Sequence, residues 1–200
     1  MSDRRTERRH HNPSHGNTFR SFIAIEIGEQ ARHELSRLSA ELKSECRGSF
    51  VPSEMYHMTL AFLGDINLQE AEAIYRVLED VASSYEPFEL KLCRLGFFAQ
   101  QESATVFCST EKDNTLISLA HDVYRSAWDV GIPFDDKPFR AHITLGRRVD
   151  LRTTRLDSIP VNRIPFTVSS LVLFKSTLRP SGPIYEAVSR IPFRGCQEAK

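Results

Sequence analysis

Two short apolar segments of the chain repeat one pattern, and this repeat constrains the fold more than any other feature of the sequence. The first contains His57 and Thr59 and the second contains His142 and Thr144, and both follow the pattern His-x-Thr-Leu with an apolar residue at x. Short apolar runs are typical of strands, in which successive side chains point to opposite faces. Each motif therefore predicts a strand that presents one imidazole and one hydroxyl on the same face, roughly 6.6 Å apart along the backbone.

The repeat exceeds what chance would produce. In a chain of 200 residues with seven histidines, composition alone predicts His-x-Thr about 0.4 times. A single copy would most simply be a half-buried histidine that is hydrogen-bonded on a sheet. Two copies, each followed by leucine in a strand-like run, instead indicate two strands that lie side by side and bring both imidazoles and both hydroxyls into one cleft.

The order of the predicted elements indicates two similar halves. Amphipathic helices are predicted over residues 29–45, 68–81 and 114–130, and alternating or apolar segments between them predict strands. Each half contributes one His-x-Thr strand. We therefore predict an α+β fold of two pseudo-symmetric lobes, each a mainly antiparallel sheet backed by helices, with a central cleft. Residues 18–196 would form this single bilobal domain.

Three other segments carry specific expectations. Residues 1–17 are basic and almost free of apolar side chains, so a disordered tail is expected. Residues 96–99 are predicted to form a loop, in which Phe97 and Phe98 are candidates for stacking on a base, unless at least one of them belongs to the core. Residues 166–177 are predicted to form one strand.

Composition limits the classes of function. The 26 basic residues are balanced by 26 acidic ones, which argues against a protein that coats long nucleic acids by its overall charge. No apolar run approaches the roughly 18 residues that a membrane span needs, and no signal peptide is recognisable, so a cytoplasmic location is expected. The four cysteines are widely separated, which favours neither a zinc site nor a disulfide framework.

The motifs and their surroundings resemble the 2H phosphoesterase superfamily, and in particular its RNA 2',3'-cyclic phosphodiesterase branch, also called 2'-5' RNA ligases. Four segments carry the resemblance: residues 19–25, 51–64, 137–147 and 173–185. Together they span nearly everything from residue 19 to residue 193. One departure is Ala141, which stands where the family usually has proline.

The resemblance implies a reaction and a role for each histidine. The implied reaction is hydrolysis of RNA 2',3'-cyclic phosphate ends to 2'-phosphomonoesters, with no metal and no other cofactor. The implied proton donor to the leaving oxygen is His57, and the implied proton acceptor that activates water is His142. The residue types suit this chemistry, because two imidazoles with an ordinary pKa of about 6.5 can hold an acid and a base together near neutral pH.

Other side chains are candidates to bind the phosphate. The hydroxyls of Thr59 and Thr144 are suited to donate hydrogen bonds to non-bridging oxygens, where negative charge develops. Arg147 and Arg140 can pair with phosphate through the forked geometry of a guanidinium. The expected partners are RNA ends or nucleoside 2',3'-cyclic phosphates, tRNA halves among them, and no membrane. The protein is expected to be a monomer.

Three alternatives stay open on the sequence alone. The same cleft could hold a nucleotide or an RNA end without turnover, although binding alone does not require a paired acid and base. A metal could be bound by His57 and His142, but threonine is a poor third ligand. An enzyme of the same superfamily could act on 2'-5' linked oligonucleotides or in the ligase direction, and the motifs do not distinguish these activities.

Overall fold

The computed structural model of the protein describes residues 17–132, 138–180 and 182–196. Residues 1–16, which make up nearly all of the predicted basic tail, lie outside these ranges, as does Lys137 at the start of the second motif block. Within the described ranges the chain forms nine strands, three α-helices and two short 3₁₀ turns.

The elements alternate along the chain much as the apolar patterns predict. The strands are β1 (Phe19–Glu26), β2 (Ser49–Phe50), β3 (His57–Ile66), β4 (Phe88–Gln100), β5 (Ser103–Thr110), β6 (Ile143–Val149), β7 (Pro165–Val168), β8 (Ser170–Arg179) and β9 (Gly182–Pro192). The helices are α1 (Glu29–Glu45), α2 (Leu68–Ser83) and α3 (Asn114–Asp129), and the 3₁₀ turns are Ser53–Met55 and Leu156–Ser158.

The strands form two antiparallel sheets, each of which contains one of the two motifs. The first sheet has the order β3-β1-β8-β9, and the second has the order β2-β6-β5-β4-β7. The C-terminal hairpin β8-β9 pairs with β1 through β8 and so completes the first sheet. The prediction of an α+β fold with two antiparallel sheets backed by helices is confirmed.

Two of the three helices pack against the sheet whose motif strand comes from the other half of the chain. Helix α1 packs against β6 and β7 of the second sheet, whereas α2 packs against β8 and β9 and α3 against β3 of the first sheet. The apolar faces of all three helices join one continuous core, with members such as Leu35 of α1, Ile74 of α2 and Leu119 of α3. This exchange ties the two sheets together through the core, because neither half of the chain buries its own sheet alone.

Two predictions of local structure are wrong. Residues 96–99 are not a loop, because β4 extends to Gln100 and pairs with β5 in a long hairpin. Residues 166–177 are not one strand, because β7 pairs with β4 in the second sheet while β8 pairs with β1 in the first. The chain changes sheets at Ser169. The strand-like pattern of residues 166–177 does not reveal such a change, since both strands bury one face.

A buried carboxylate holds the long polar connection between β6 and β7 in place. Glu34 of α1 is 7% exposed, and its oxygens accept hydrogen bonds from the backbone N–H of Asn162 (2.9 Å) and from the side-chain amide of the same residue (2.9 Å). Arg37 donates to both oxygens as well. Burial opposes ionisation of Glu34, but the hydrogen bonds from Arg37 and Asn162 outweigh it and lower the pKa of the carboxyl group below 4.5.

Replacing Glu34 with Gln should therefore destabilise the fold. The amide cannot accept all of these hydrogen bonds, so we expect the free energy of unfolding at pH 7 to fall by about 1.5–3 kcal/mol in urea denaturation. Glu41→Gln is the matched control, because Glu41 pairs with the same Arg37 but on the surface, where a loss of at most about 0.5 kcal/mol is expected. Since the pKa of Glu34 is lowered, the difference between wild type and Glu34→Gln should shrink as the pH falls below 4.5. Equal losses for the two variants would contradict this account.

Candidate active site

Both motif histidines are held by the same local hydrogen bond. His57 begins β3, and its Nδ1 lies 2.7 Å from the carbonyl oxygen of Met55. His142 directly precedes β6, and its Nδ1 lies 2.7 Å from the carbonyl oxygen of Arg140. A carbonyl oxygen only accepts, so each Nδ1 carries the hydrogen. Each Nε2 is thereby left to accept a proton when the ring is neutral and to donate one when it is charged.

The two histidines share one electrostatic environment. Strands β3 and β6 contact each other across the boundary between the sheets. Burial is the main cause that lowers the pKa of His57 below 6.5, and the positive charges of Arg147 and of protonated His142 lower it further. Burial likewise lowers the pKa of His142 below 6.5, with Arg147 again contributing. Arg147 is therefore close enough to both imidazoles to influence their charge, and His142 is close enough to influence that of His57.

Aromatic rings surround His57. Its ring centroid lies 4.9 Å from that of Phe22 on β1, 6.0 Å from that of Phe174 on β8 and 5.1 Å from that of Tyr185 on β9. Phe22 and Phe174 stack on each other at 5.2 Å. These rings remove water from one side of the imidazole, which explains why burial dominates the shift of its pKa.

His142 has a smaller aromatic wall, formed by the β4-β5 hairpin. Its ring meets Phe98 edge to face at 5.1 Å and Phe107 at 5.5 Å. Phe97 lies on the opposite face of β4 from Phe98, because neighbours in a strand alternate, and it is 55% exposed. The expectation that Phe97 contributes to the site is therefore not supported. The contact made by Phe98 follows from the hairpin pairing, which the sequence pattern did not reveal.

An irregularity in β6 places Arg147 beside the motif. Thr144 and Gly146 pair with consecutive residues of β5, so Leu145 has no partner opposite it and forms a β-bulge. One extra residue reverses the alternation of faces beyond it. Arg147 consequently lies on the same face as His142 and Thr144, although regular alternation would put it on the opposite face. The bulge explains how Arg147 acts on both imidazoles.

The packing around this bulge requires a glycine. A Cβ on Gly146 would lie 2.9 Å from Cγ2 of Val149 and 3.1 Å from Cδ1 of Phe50, which are closer than normal van der Waals contacts. A second irregularity follows at Arg148, whose φ of 52° lies in the left-handed region. The guanidinium of Arg148 donates to Oγ of Ser49 on β2 at 3.1 Å.

Strand β3 carries a corresponding bulge at the last residue of the first motif. Thr59 and Ala61 pair with consecutive residues of β1, which leaves Leu60 without a partner, just as Leu145 is left in β6. Phe62 then pairs with Phe22, whose ring packs against His57. The motif face of β3 therefore carries His57, Thr59 and Phe62.

The remaining predicted site residues lie on or beside the motif strands. Thr59 and Thr144 are half-buried and lie on the same faces as the two histidines. The guanidinium of Arg140 lies over the ring of Phe98 at 5.8 Å, while its carbonyl holds His142. Phe98 was identified from the sequence together with Phe97. The other aromatic residues near the motif strands were not, because their positions depend on strand pairing: Phe22, Phe62, Phe107, Phe174 and Tyr185.

Two kinds of feature are absent from the described part of the chain. In the described ranges there is no group of three or more His, Cys, Asp or Glu side chains that could hold a metal ion. Among the helices of those same ranges, none is both long and apolar enough to cross a membrane.

Removing the charge of Arg147 should raise both histidine pKa values. In NMR titrations of the free protein, we expect both imidazoles to titrate below 6.5 and to move towards that value in Arg147→Ala. Arg148→Ala is the matched control, because that side chain bonds to Ser49 and should leave both pKa values unchanged. If Arg147→Ala changed neither value, Arg147 would not lie beside the histidines.

Comparisons with known proteins identify the family to which the chain belongs. The family model described as LigT like Phosphoesterase matches residues 25–108 and 106–185. An RNA 2',3'-cyclic phosphodiesterase of Geobacillus stearothermophilus is 29% identical, covering 90% of this chain and 59% of that protein. The chain thus spans less than two thirds of that relative. An RNA 2',3'-cyclic phosphodiesterase of Thermotoga maritima is 29% identical, covering 88% of this chain and 96% of that protein.

Solved structures share the fold. TT0787 of Thermus thermophilus matches with a TM-score of 0.78 and 27% identity, over 88% of this chain and 98% of that one. Escherichia coli LigT complexed with 3'-AMP matches with a TM-score of 0.75 and 24% identity, over 89% of this chain and 99% of that one. Because the family model spans both motif strands and most of the chain, the protein belongs to the LigT-like phosphoesterases of the 2H superfamily.

Proposed function

We propose that this protein hydrolyses RNA 2',3'-cyclic phosphate ends to 2'-phosphomonoesters, without a metal ion. The observation that carries the proposal is the matched pair of imidazoles, each with Nδ1 bonded to a carbonyl and each within the electrostatic influence of Arg147. Opening a cyclic phosphodiester with water needs a base and an acid on opposite sides of phosphorus. The names of the relatives support the same choice of substrate.

The reaction moves two protons. Nε2 of neutral His142 accepts a proton from water as the water oxygen attacks phosphorus. The bond from phosphorus to the 3' oxygen breaks in line with the attack, and Nε2 of protonated His57 donates its proton to that oxygen. The product carries a 2'-phosphate and a free 3'-hydroxyl, and exchange with solvent restores both histidines.

The lowered pKa values affect the two roles differently. A histidine with a pKa below 6.5 is neutral at pH 7, as a base must be, so His142 is ready for its role in the free protein. His57 must be charged, and burial and Arg147 oppose this. The phosphodiester anion supplies the missing stabilisation when it binds, because a negative charge nearby raises the pKa of an imidazole.

The threonines and Arg147 act on the oxygens that do not leave. Hydroxyl donors on the motif faces, from Thr59 and Thr144, stabilise the negative charge that develops on the non-bridging oxygens. Arg147 neutralises the same group and limits how it can rotate. Arg140 is a further phosphate-binding candidate beside Phe98.

The decisive experiment is turnover of a nucleoside 2',3'-cyclic phosphate in the presence of EDTA, with the product identified by NMR. A 2'-phosphate formed at an undiminished rate supports the proposal. Loss of activity in EDTA would favour a metal enzyme, and a 3'-phosphate would reverse the pose. Binding without turnover would favour a nucleotide-binding module, and joining to a 5'-hydroxyl end in preference to hydrolysis would favour the ligase direction.

Replacing either histidine should abolish most of the activity. We expect His57→Ala and His142→Ala each to lower kcat by about 10²–10⁴ or more, because each removes one proton transfer. Circular dichroism and thermal unfolding check that both variants are folded. Near-normal turnover by either folded variant would contradict the mechanism.

An activated substrate separates the two roles. A 3'-deoxynucleoside 2'-(4-nitrophenyl) phosphate releases nitrophenolate, which leaves without a proton. This substrate should largely rescue His57→Ala but not His142→Ala, and the opposite pattern would exchange the roles of the two histidines.

The threonines should act through their hydroxyls. We expect Thr144→Val, which keeps the shape, to lower kcat by about 10–10³-fold, and Thr144→Ser, which keeps the oxygen, to lose much less. The same comparison applies to Thr59. Full activity in Thr144→Val, measured on a cyclic nucleotide, would show that its hydroxyl does not contact the phosphate.

A further inference from the structure

Phe107 of β5 lies in a row of three residues on the motif face of the second sheet. It pairs directly with Gly96 of β4 on one side and with Thr144 of β6 on the other. Its neighbours Val106 and Cys108 are fully buried on the opposite face of β5. Directly opposite residues of antiparallel strands share a face, with Cβ atoms about 4.5–5.5 Å apart. Phe107 therefore stands between a glycine and the threonine that the proposed mechanism uses.

The ring of Phe107 leans towards the glycine. A Cβ on Gly96 would lie 2.8 Å from both Cε2 and Cζ of Phe107, which are atoms at the far end of the ring. Neighbouring strands lie about 4.8 Å apart, so β4 and β6 are separated by roughly 9–10 Å across β5. A ring whose far end approaches β4 cannot also cover Thr144 on β6. The space left by Gly96 thus keeps this ring away from the hydroxyl of Thr144.

In the same position the ring supports the second histidine. The centroid of the Phe107 ring lies 5.5 Å from that of His142 and 4.5 Å from that of Phe98, which itself meets His142 edge to face. Both rings belong to the β4-β5 hairpin, whereas the hydrogen bond to Nδ1 comes from the carbonyl of Arg140. Packing of this kind limits the rotamers of the imidazole, and so the direction in which Nε2 points.

A methyl group at position 96 would change this arrangement without breaking the fold. The three atoms nearest to the new Cβ all belong to the ring of Phe107, at the end of a side chain that can rotate. The ring can therefore turn aside while the buried residues on the other face of β5 keep their places. Any such movement removes the contact of the ring with His142 or brings the ring over Thr144.

We propose that Gly96 is a positioning residue of the site. The space that it leaves holds the ring of Phe107 over β4, where the ring supports His142 and leaves the hydroxyl of Thr144 open to the phosphate. This inference rests on the proposed function, because it assumes that a phosphate binds beside Thr144. It goes beyond that function by assigning a part in the reaction to a glycine that does not touch the substrate.

The test is a double-mutant cycle between positions 96 and 107, measured as kcat/KM for a nucleoside 2',3'-cyclic phosphate. Gly96→Ala should lower kcat/KM about 10- to 100-fold, because a displacement of about 1 Å near the reacting groups can have an effect of that size. In the Phe107→Leu background the same change should lower it less than about threefold, since leucine does not extend over β4 as the ring does. An equal loss in both backgrounds would overturn the inference.

Phe97→Leu is the matched control for the second substitution. Phe97 adjoins Gly96 in the sequence, but it lies on the opposite face of β4 from Phe98 and is 55% exposed. In the Phe97→Leu background, Gly96→Ala should therefore keep its full effect on kcat/KM. A loss as small as that in the Phe107→Leu background would show that the compensation is not specific to the ring of Phe107.

Thermal unfolding checks that Gly96→Ala acts on the site and not on the fold. We expect its Tm to fall by less than about 4 °C, a small change for a domain of this size. If Gly96→Ala did not fold, Gly96→Ala/Phe107→Leu would still be compared with Phe107→Leu alone. Equal activity of these two variants supports the inference, and a loss of about tenfold or more in the double variant would overturn it.

A measurement without substrate separates failure of this inference from failure of the proposed function. If the wild-type protein turned over no cyclic nucleotide, the proposed function would fail. The position of the ring would still be visible in the imidazole C–H resonances of the free protein, because nearby aromatic rings shift them. In Gly96→Ala the resonances of His142 should move, while those of His57, which lies among rings of the first sheet, should not. Unchanged resonances of His142, or equal changes at both histidines, would refute the positioning role.

Discussion

The hydrogen bond from each imidazole Nδ1 to a carbonyl two residues earlier is the interaction on which the site depends. It fixes the tautomer, so that Nε2 is the atom available for proton transfer. Its acceptor is a backbone carbonyl, which belongs to the segment that leads directly into the motif strand. The same bond forms in both lobes because the chain enters each motif strand in the same way, although the surrounding side chains differ.

Burial of these imidazoles disfavours the charged histidine that the proposed reaction needs. The aromatic rings around His57 and His142 lower both pKa values, and Arg147 lowers them further. Such a cleft favours two neutral histidines when it is empty. The proposed substrate is an anion, and its arrival changes the balance towards one charged imidazole. Binding of the phosphodiester therefore favours the protonation state that the proposed reaction needs.

The sequence was sufficient for the parts of the site that depend on local alternation. His57 and Thr59 share a face because they are two residues apart in a strand, and the same holds for His142 and Thr144. Pairing between distant segments was not predictable in this way. Pairing of β4 with β5 places Phe98, and not Phe97, beside His142. The contact of Tyr185 with His57 depends on the return of β9 to the first sheet.

The bulge in β6 shows why spacing alone does not predict the face on which Arg147 lies. Five residues separate it from His142, and regular alternation would put the two side chains on opposite faces. A bulge leaves one residue without a partner on the neighbouring strand. In β6 this residue is Leu145, which is fully buried in the core. Gly146 then provides the space that the irregular backbone needs against Val149. Nothing in the pattern His-x-Thr-Leu-Gly-Arg distinguishes such a bulged strand from a regular one.

The difference between Arg147 and Phe62 has a consequence for any reaction in this cleft. Two equivalent lobes would bind a phosphodiester equally well in two orientations, and each histidine would then be the acid in half of the encounters. A preference of about 1.4 kcal/mol is enough to populate one orientation tenfold over the other. One guanidinium and one phenyl ring stand at positions that the bulges make equivalent, so the two lobes differ there. The motifs themselves are alike, so the distinct roles proposed for His57 and His142 require a difference of this kind outside the motifs.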